Sequence, residues 1–496
     1  MHKRAVFFAA AFAALSLGRA DAASYYVSAA GSDSNNGLSP SEPFRSPARA
    51  VSALSNGDSI FFRAGDRFVL PDVLTISRSG SADKPIVIGA YEVTGGEVSH
   101  RVTSNRPILD GDKKTPQPGK YLGLLQVTGR HVEIRDLVLR NSGGLGIRFF
   151  ETSNGRVDNV HTDGTYYFGI QAYKSDQIEI ENCDVKGFGQ GGKFHGETSF
   201  PNGVSIRSSS NVRVAGCLVR EGWGEGINSF YGSRNVVIEN NTLYAIRNVG
   251  IYIDSTQNAD VRNNIILGTA DSLYHRYSGQ AWTGPGIALN NESYQFDGGL
   301  STSAIAKNVR IYNNLVAGTI TGLAFWGQHE ATNWQDVLIA NNTFVDNQTQ
   351  IQVTNKKFTK TRIVNNIFLS LSPGTSDWKG SLGQAGIEWQ NNYWSGGKPE
   401  GGSSPGDVYE GLVLEKMSGW LDIRSHADVS WRDFMPAGTS KTLKAGAETV
   451  LSLVSADFRG KTRPSPPDLG GLEAGDDAPA ERRPKAPGAM RSRLLN

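Results

Sequence analysis

Cysteine is nearly absent: there are 2 in 496 residues, alongside only 4 methionines and 8 histidines. That excludes a disulfide-dense scaffold and a Cys/His-rich metal protein. Excess charge of either sign is also missing, since the formal net charge is +2. Nothing in that balance points to nucleic acid, and it suits a neutral or an acidic glycan equally. Beyond the first two dozen residues no apolar run is long enough to cross a bilayer, so no membrane span is expected there. Glycine, by contrast, is abundant at 58 residues, which suits a turn-rich β protein better than a helical one.

The first 22 residues have the pattern of an export signal. His2, Lys3 and Arg4 open it, Ala5 to Leu17 is an apolar stretch too short to span comfortably, and Ala20-Asp21-Ala22 offers a small-x-small cleavage site. The mature chain is therefore expected to start at Ala23 and to be secreted or periplasmic.

Internal repetition dominates the rest of the chain. An apolar residue, then x-Asn-Asn, recurs at Ile238-Glu239-Asn240-Asn241, Val261-Arg262-Asn263-Asn264, Ile311-Tyr312-Asn313-Asn314, Ile339-Ala340-Asn341-Asn342 and Ile363-Val364-Asn365-Asn366, with a looser copy at Trp389 to Asn392. The same pattern holds upstream with other residues, at Ile134 to Leu137, Val157 to Val160, Ile180 to Cys183 and Val214 to Cys217. Its fourth position falls at 137, 160, 183, 217, 241, 264, 314, 342, 366 and 392, giving gaps of 23, 23, 34, 24, 23, 50, 28, 24 and 26. Each unit also carries a second short strand opened by glycine, such as Gly226-Ile227-Asn228-Ser229 and Gly250-Ile251-Tyr252-Ile253. Strands this short cannot bury an apolar face alone, but coils stacked about 4.8 Å apart can. Asparagine fits a fixed turn position because it tolerates left-handed backbone angles and can hydrogen-bond to the next asparagine in the stack.

These repeats, over roughly 130 to 395, resemble the pectate-lyase-like superfamily of right-handed parallel β-helices, a group that hosts polysaccharide lyases and glycoside hydrolases. The opening Tyr25-Tyr26-Val27-Ser28, Gly31 to Gly37 and Pro43-Phe44 resembles the start of such proteins, and Ala456 to Gly470 their closing segment. The resemblance implies an all-β solenoid. A short helix, Pro47 to Leu54 with Ser46 as N-cap, is expected to plug its first coil. The implied organisation is a signal peptide at 1–22, an N-terminal cap and first coils at 23–129, β-helix repeats at 130–400, C-terminal coils and closing segment at 401–474, and a disordered tail at 475–496.

Cys183 and Cys217 occupy one repeat position in neighbouring coils. A disulfide is expected there, with two buried free thiols as the alternative.

Two long insertions, 187–202 and 268–285, precede corresponding strands. They are expected to rise as walls about 14 Å apart, three coil steps, with a groove between them. Floor candidates are Asn228, Phe230, Tyr252 and Asp254, extended by Trp326. Wall and turn candidates are Lys193, His195, Glu197, Glu221, Trp223, Glu225, Arg247, Asn248, Tyr274, His275, Arg276, Tyr277 and Trp282. Aromatic faces suit sugar rings, and polar groups around them fix orientation. Asp254 should project outward beside Tyr252 between uncharged neighbours, which would raise its pKa toward acid–base use.

The leading expectation is a lyase acting by β-elimination on a uronate-containing polysaccharide, alginate-like, pectate-like or an exopolysaccharide. Elimination needs a base and a positive group that stabilises the enolate. Asp254, His195, Lys193, Arg247, His275 and Arg276 form the catalytic set; Trp223, Glu225, Asn228, Phe230, Tyr252, Tyr277, Trp282 and Trp326 form the substrate-binding set. Calcium-dependent members use carboxylate clusters on the strands, and no such Asp cluster is evident, so Ca2+ is left open and no other cofactor is expected. The alternative is a glycoside hydrolase, which needs two carboxylates about 5 to 9.5 Å apart. The polygalacturonase motifs are incomplete: Tyr252-Ile253-Asp254 stands in place of Asn-x-Asp, and the Asp-Asp pair and Gly-His-Gly are missing. The epimerase motif Asp-Pro-His-Asp is missing too. Glu225 and Asp254 should lie about 16 Å apart along the strand direction, leaving Glu197 or Glu221 as a partner for Asp254. A non-catalytic polysaccharide-binding or structural β-helix is the third reading. The protein is expected to be a monomer.

Overall fold

A computed structural model describes residues 22–195, 200–292, 294–296, 299–301, 305–327 and 333–475. The expected export signal up to Asp21, Glu197 and the tail beyond Gly475 lie outside the described residues. No described helix is long and apolar enough to cross a membrane.

The repeats coil into a right-handed parallel β-helix with three long sheets of 15, 12 and 11 strands. One coil contributes one strand to each sheet, as Val132–Arg135, Val138–Arg140 and Leu145–Phe150 illustrate. The apolar residue of the repeat stacks in register through the first sheet, Val157 on Ile180, Val214, Ile238, Val261, Ile311, Ile339 and Ile363 in turn. All of these are fully buried in one continuous core. Each copy loses about 1.5–3 kcal/mol worth of burial if exposed, so the stack holds only as a whole.

The paired asparagines divide the labour. The first of each pair takes the left-handed conformation, with φ of 56° at Asn240, 55° at Asn263 and 55° at Asn313. The second points inward and donates its amide to the next in line. Asn241 reaches Asn264 at 3.0 Å, Asn264 reaches Asn314 at 2.9 Å, Asn314 reaches Asn342 at 2.9 Å, and Asn342 reaches Asn366 at 3.0 Å.

Cys183 and Cys217 hold the same ladder position, but the expected disulfide is not formed and both are free, buried thiols. The reason is that sulfur takes over the asparagine's role. Cys183 N donates to Cys217 Sγ at 3.4 Å, and the Cys183 thiol donates to Glu181 O at 3.1 Å. The Cys217 thiol is likewise engaged with backbone, donating to Ala215 O at 3.5 Å.

The helix expected near the start forms over Pro47–Ala53, with the Ser46 hydroxyl accepting from Arg49 N at 3.2 Å, and it packs against the strands Ser24–Val27 and Leu74–Ile76. The segment after Ala456 docks on the turns of the later coils: Arg463 donates to Asn313 Oδ1 at 2.7 Å and Gly470 N to Asn365 O at 2.8 Å.

Candidate active site

The 11-stranded sheet carries the site on its outward face. Alternation within Ile251–Asp254 sends Ile251 and Ile253 into the core and leaves Tyr252 and Asp254 outside. Asn228 pairs with Tyr252, Tyr252 with Ala288, Ala288 with Ala324, and Ala324 with Gln352. Two alanines in succession hollow the floor beyond Tyr252. A cavity of about 950 Å³ lies over this face, lined among others by Glu225, Asn228, Phe230, Tyr252, Asp254 and Trp326.

Three carboxyl groups converge there. Asp254 is buried and accepts from Glu292 N at 2.9 Å and the Ser255 hydroxyl at 3.1 Å. Desolvation, reinforced by the charge of Glu292, pushes its pKa up to about 8. Glu225 is buried too and accepts the side-chain amides of Asn202, at 2.8 Å, and Asn228. Desolvation, with the charges of Glu292 and Asp254, pushes it also up to about 8. Glu292, just past the strand Ile287–Asn290, accepts from the Tyr252 hydroxyl at 2.6 Å and from Asn290 Nδ2 at 3.3 Å. Trp326 meets Tyr252 edge-on, with ring centroids 5.5 Å apart.

Ser229 pairs with Ile253, so five strand positions do separate Glu225 from Asp254. The repeat spacing had excluded these two as partners; it took no account of Glu292, whose charge acts on both and joins them into one electrostatic unit.

The walls also differ from the expected trough. The two insertions are not held apart; they touch. Lys193 Nζ lies 5.6 Å from the Tyr274 ring centroid, and Arg276 Cζ lies 5.9 Å from that of Phe200. Long cationic and aromatic side chains bridge the two short coils between the loops, so the cavity opens at the loops' edge, over the sheet face. Phe200, Arg276 and Tyr277 form that edge.

The nominated residues consequently scatter. Asp254 and Arg276 line the cavity, as do Glu225, Asn228, Phe230, Tyr252, Tyr277 and Trp326. Lys193 is turned to Tyr274; Arg247 stacks on Trp223 at 4.5 Å; His275 Nε2 meets Thr269 O at 2.9 Å. None of these is a cavity-lining residue, nor is Trp282, whose Nε1 is buried without a partner among the described residues. His195 ends the helix Gln190–His195, and its side chain lies outside the described residues. Glu221, in the strand Leu218–Gly222 of another sheet, pairs with Arg220 at 2.8 Å and Lys186 at 3.4 Å.

Sequence reasoning missed Glu292, Asn202, Asn290 and Arg207. Arg207 could have been found, because it stands one rung from Phe230 in the same outward column. Glu292 carries no such signal: it follows a strand end and joins Tyr252 across 40 residues. Among the described residues no group of three or more His, Cys, Asp or Glu is arranged to hold a metal ion. The three cavity acids are engaged with amide, hydroxyl and backbone donors, so the residues present do not fit a Ca2+ site.

Residues 122–328 match the family model described as the right handed beta helix region. Solved structures with a similar fold include pectate lyase Pel9A (17% identity, TM-score 0.51, covering 91% of this chain and 96% of that one). A rhamnogalacturonan lyase matches at 16% identity and TM-score 0.50, over 89% and 99%. XylC in complex with xylose matches at 9% identity and TM-score 0.52, over 91% and 98%. No curated protein matches this chain. The chain is thus a right-handed parallel β-helix protein with the pectate-lyase-like fold. Identities this low establish the fold, and fold alone does not choose a reaction.

Proposed function

We propose that the protein is a polysaccharide-acting enzyme whose chemistry is glycosidic hydrolysis, the second of the sequence readings. The observation that carries this is the convergence of Asp254, Glu225 and Glu292 in one cavity walled by Tyr252, Trp326 and Phe230. Hydrolysis of a glycosidic bond needs a carboxylic acid to protonate the leaving oxygen and a carboxylate to act as base or nucleophile. Asp254, still protonated at neutral pH, is the acid. Glu292, which accepts from Tyr252 and Asn290, is the carboxylate. Glu225, held by two asparagine amides, supplies a second protonated group that can donate to a sugar hydroxyl. The rings offer apolar contact to the sugar.

β-Elimination has less support. Of its nominated basic residues with described side chains, Arg276 lines the cavity, while Lys193, Arg247 and His275 are turned elsewhere. An exported, monomeric enzyme fits this reading and the apolar start of the chain.

The test is incubation with a panel of polysaccharides, recording reducing ends alongside the ultraviolet absorbance of unsaturated uronates. Reducing ends alone are expected. Both signals rising together would make the protein a lyase, and binding with neither would make it a non-catalytic binder.

A further inference from the structure

One cation in the cavity has no part in this hydrolytic chemistry. Arg207 ends the strand Asn202–Arg207 and stands in the outward column of rings, paired with Tyr173 on one side and Phe230 on the other. Its Cζ lies 5.4 Å from the ring centroid of Tyr173, 5.6 Å from Phe230 and 4.2 Å from Tyr231. Three aromatic rings therefore hold the guanidinium plate in place. Upstream, Phe150 and Tyr173 stack 5.5 Å apart and 16° from parallel, which braces the column.

What the rings leave open is the guanidinium's edge. Among the described residues, no carboxylate or carbonyl accepts from it. The arginines on the outward face of the first sheet behave differently: Arg213 meets Glu239 at 2.7 Å and Arg310 meets Asp260 at 2.6 Å. Arg148, one column over, spends its donors on Gln171 at 3.0 Å and Tyr121 O at 2.6 Å. A planar cation fixed by stacking, with its fork unspent and facing a cavity, is suited to two-point contact with a carboxylate or sulfate. The charge around it agrees. Arg207, Arg276 and the exposed Lys379 all line the cavity. Two of the three acids there keep their protons at neutral pH.

We infer that Arg207 is a specificity residue for an anionic glycan, gripping the carboxylate or sulfate of a sugar near the one attacked at Asp254. Two rungs, roughly 10 Å, separate Arg207 from Asp254 along the sheet, about the reach from one sugar to the next but one. This rests on the cavity being the proposed glycan site, but it is tested by binding without turnover, so its failure and that of the hydrolytic reading are separately visible.

The experiment is affinity electrophoresis of the full chain carrying Asp254→Asn, through gels containing polygalacturonate, alginate or dextran sulfate, with methyl-esterified polygalacturonate and plain dextran as uncharged counterparts. Retardation is expected in at least one anionic gel and in neither neutral one, and it should weaken as salt is added. Whether the carboxylate or the sulfate polymers retard the protein identifies the anion. Adding Arg207→Gln should weaken that retardation about tenfold, the scale of losing a charge-assisted hydrogen-bonded contact. If Arg207→Gln lowers the melting temperature, Arg207→Lys is read instead, with a loss of about threefold expected because the charge stays and the fork goes. Retardation in no gel, equal retardation in neutral gels, or anionic binding unchanged by the Arg207 substitutions would overturn the inference.

Discussion

Two outward faces of the same solenoid use charge in opposite ways. On the first sheet, acids and bases alternate from rung to rung and neutralise each other. Arg156 meets Glu181 at 3.0 Å, Glu239 lies between Arg213 at 2.7 Å and Arg262 at 2.8 Å, and Asp260 holds Arg310 at 2.6 Å. On the sheet that bears the cavity, acids face acids and the cation is left to aromatic rings. The first arrangement stabilises coils; the second pushes the pKa of Asp254 and Glu225 up to about 8 beside the cavity. A residue type therefore says little about role on such a scaffold, whereas its rung neighbours say a good deal.

The largest expected difference between the faces is catalytic. Asp254→Asn and Glu292→Gln should each lower turnover about a thousandfold, within the range for losing a general acid or base, without a fall in melting temperature that would account for the loss. Reducing-end release and thermal melting measure the two quantities. Wild-type turnover in both variants would remove the cavity from consideration as an active site.

pH should separate the faces next. The folded protein holds protons on Asp254 and Glu225 up to about 8, whereas their ordinary values are 3.8 and 4.5. The unfolded chain releases those protons first, so this pair's contribution to stability is greatest below about pH 4, falls as pH rises toward about 8, and levels off above it. Glu239 is the reverse case. The adjoining Arg262 and Arg213 outweigh its desolvation and hold its pKa below the ordinary 4.5. Its stabilisation is present above that value and is lost as the solution is acidified. Denaturant titrations across pH should show Asp254→Asn gaining on the wild type as pH rises, and Glu239→Gln converging on it in acid. Activity should fall about tenfold per pH unit above about 8, as the acid loses its proton.

Smaller still is the cost of breaking the first face. Glu239→Ala should lose about 2 kcal/mol of unfolding free energy, the scale of stranding partly buried charged partners, and should leave turnover unchanged. A fall in turnover would mean that the two faces are coupled. The smallest effects belong to residues that the sequence singled out and the fold turned away. Lys193→Ala and His275→Ala should change turnover less than twofold and stability by about 0.5 kcal/mol or less. A larger catalytic loss in either would restore the elimination chemistry that their positions disfavour.

Much of this architecture is legible in the chain because a solenoid is local. The coil period, the apolar column from Val157 to Ile363 and the asparagine ladder each follow from a pattern repeated at nearly constant spacing. Asp254 and Tyr252 could be placed outward by strand alternation alone, and Phe230 and Trp326 followed from the same column. The disulfide expectation failed on a finer point. Stacking of Cys183 on Cys217 was readable, but which acceptor each sulfur would face was not.

The composition and periodicity of the chain were enough to specify the β-helix, its register and two acids of the candidate site, Asp254 and Glu225, since those depend on neighbours in a regular repeat. The insertions obey no repeat. That Lys193 and Phe200 would reach Tyr274 and Arg276, and that Glu292 would come down beside Asp254 and bind the Tyr252 hydroxyl, emerged only from folding in three dimensions. Loop side chains are placed by packing and charge across many intervening residues, and no local rule encodes that.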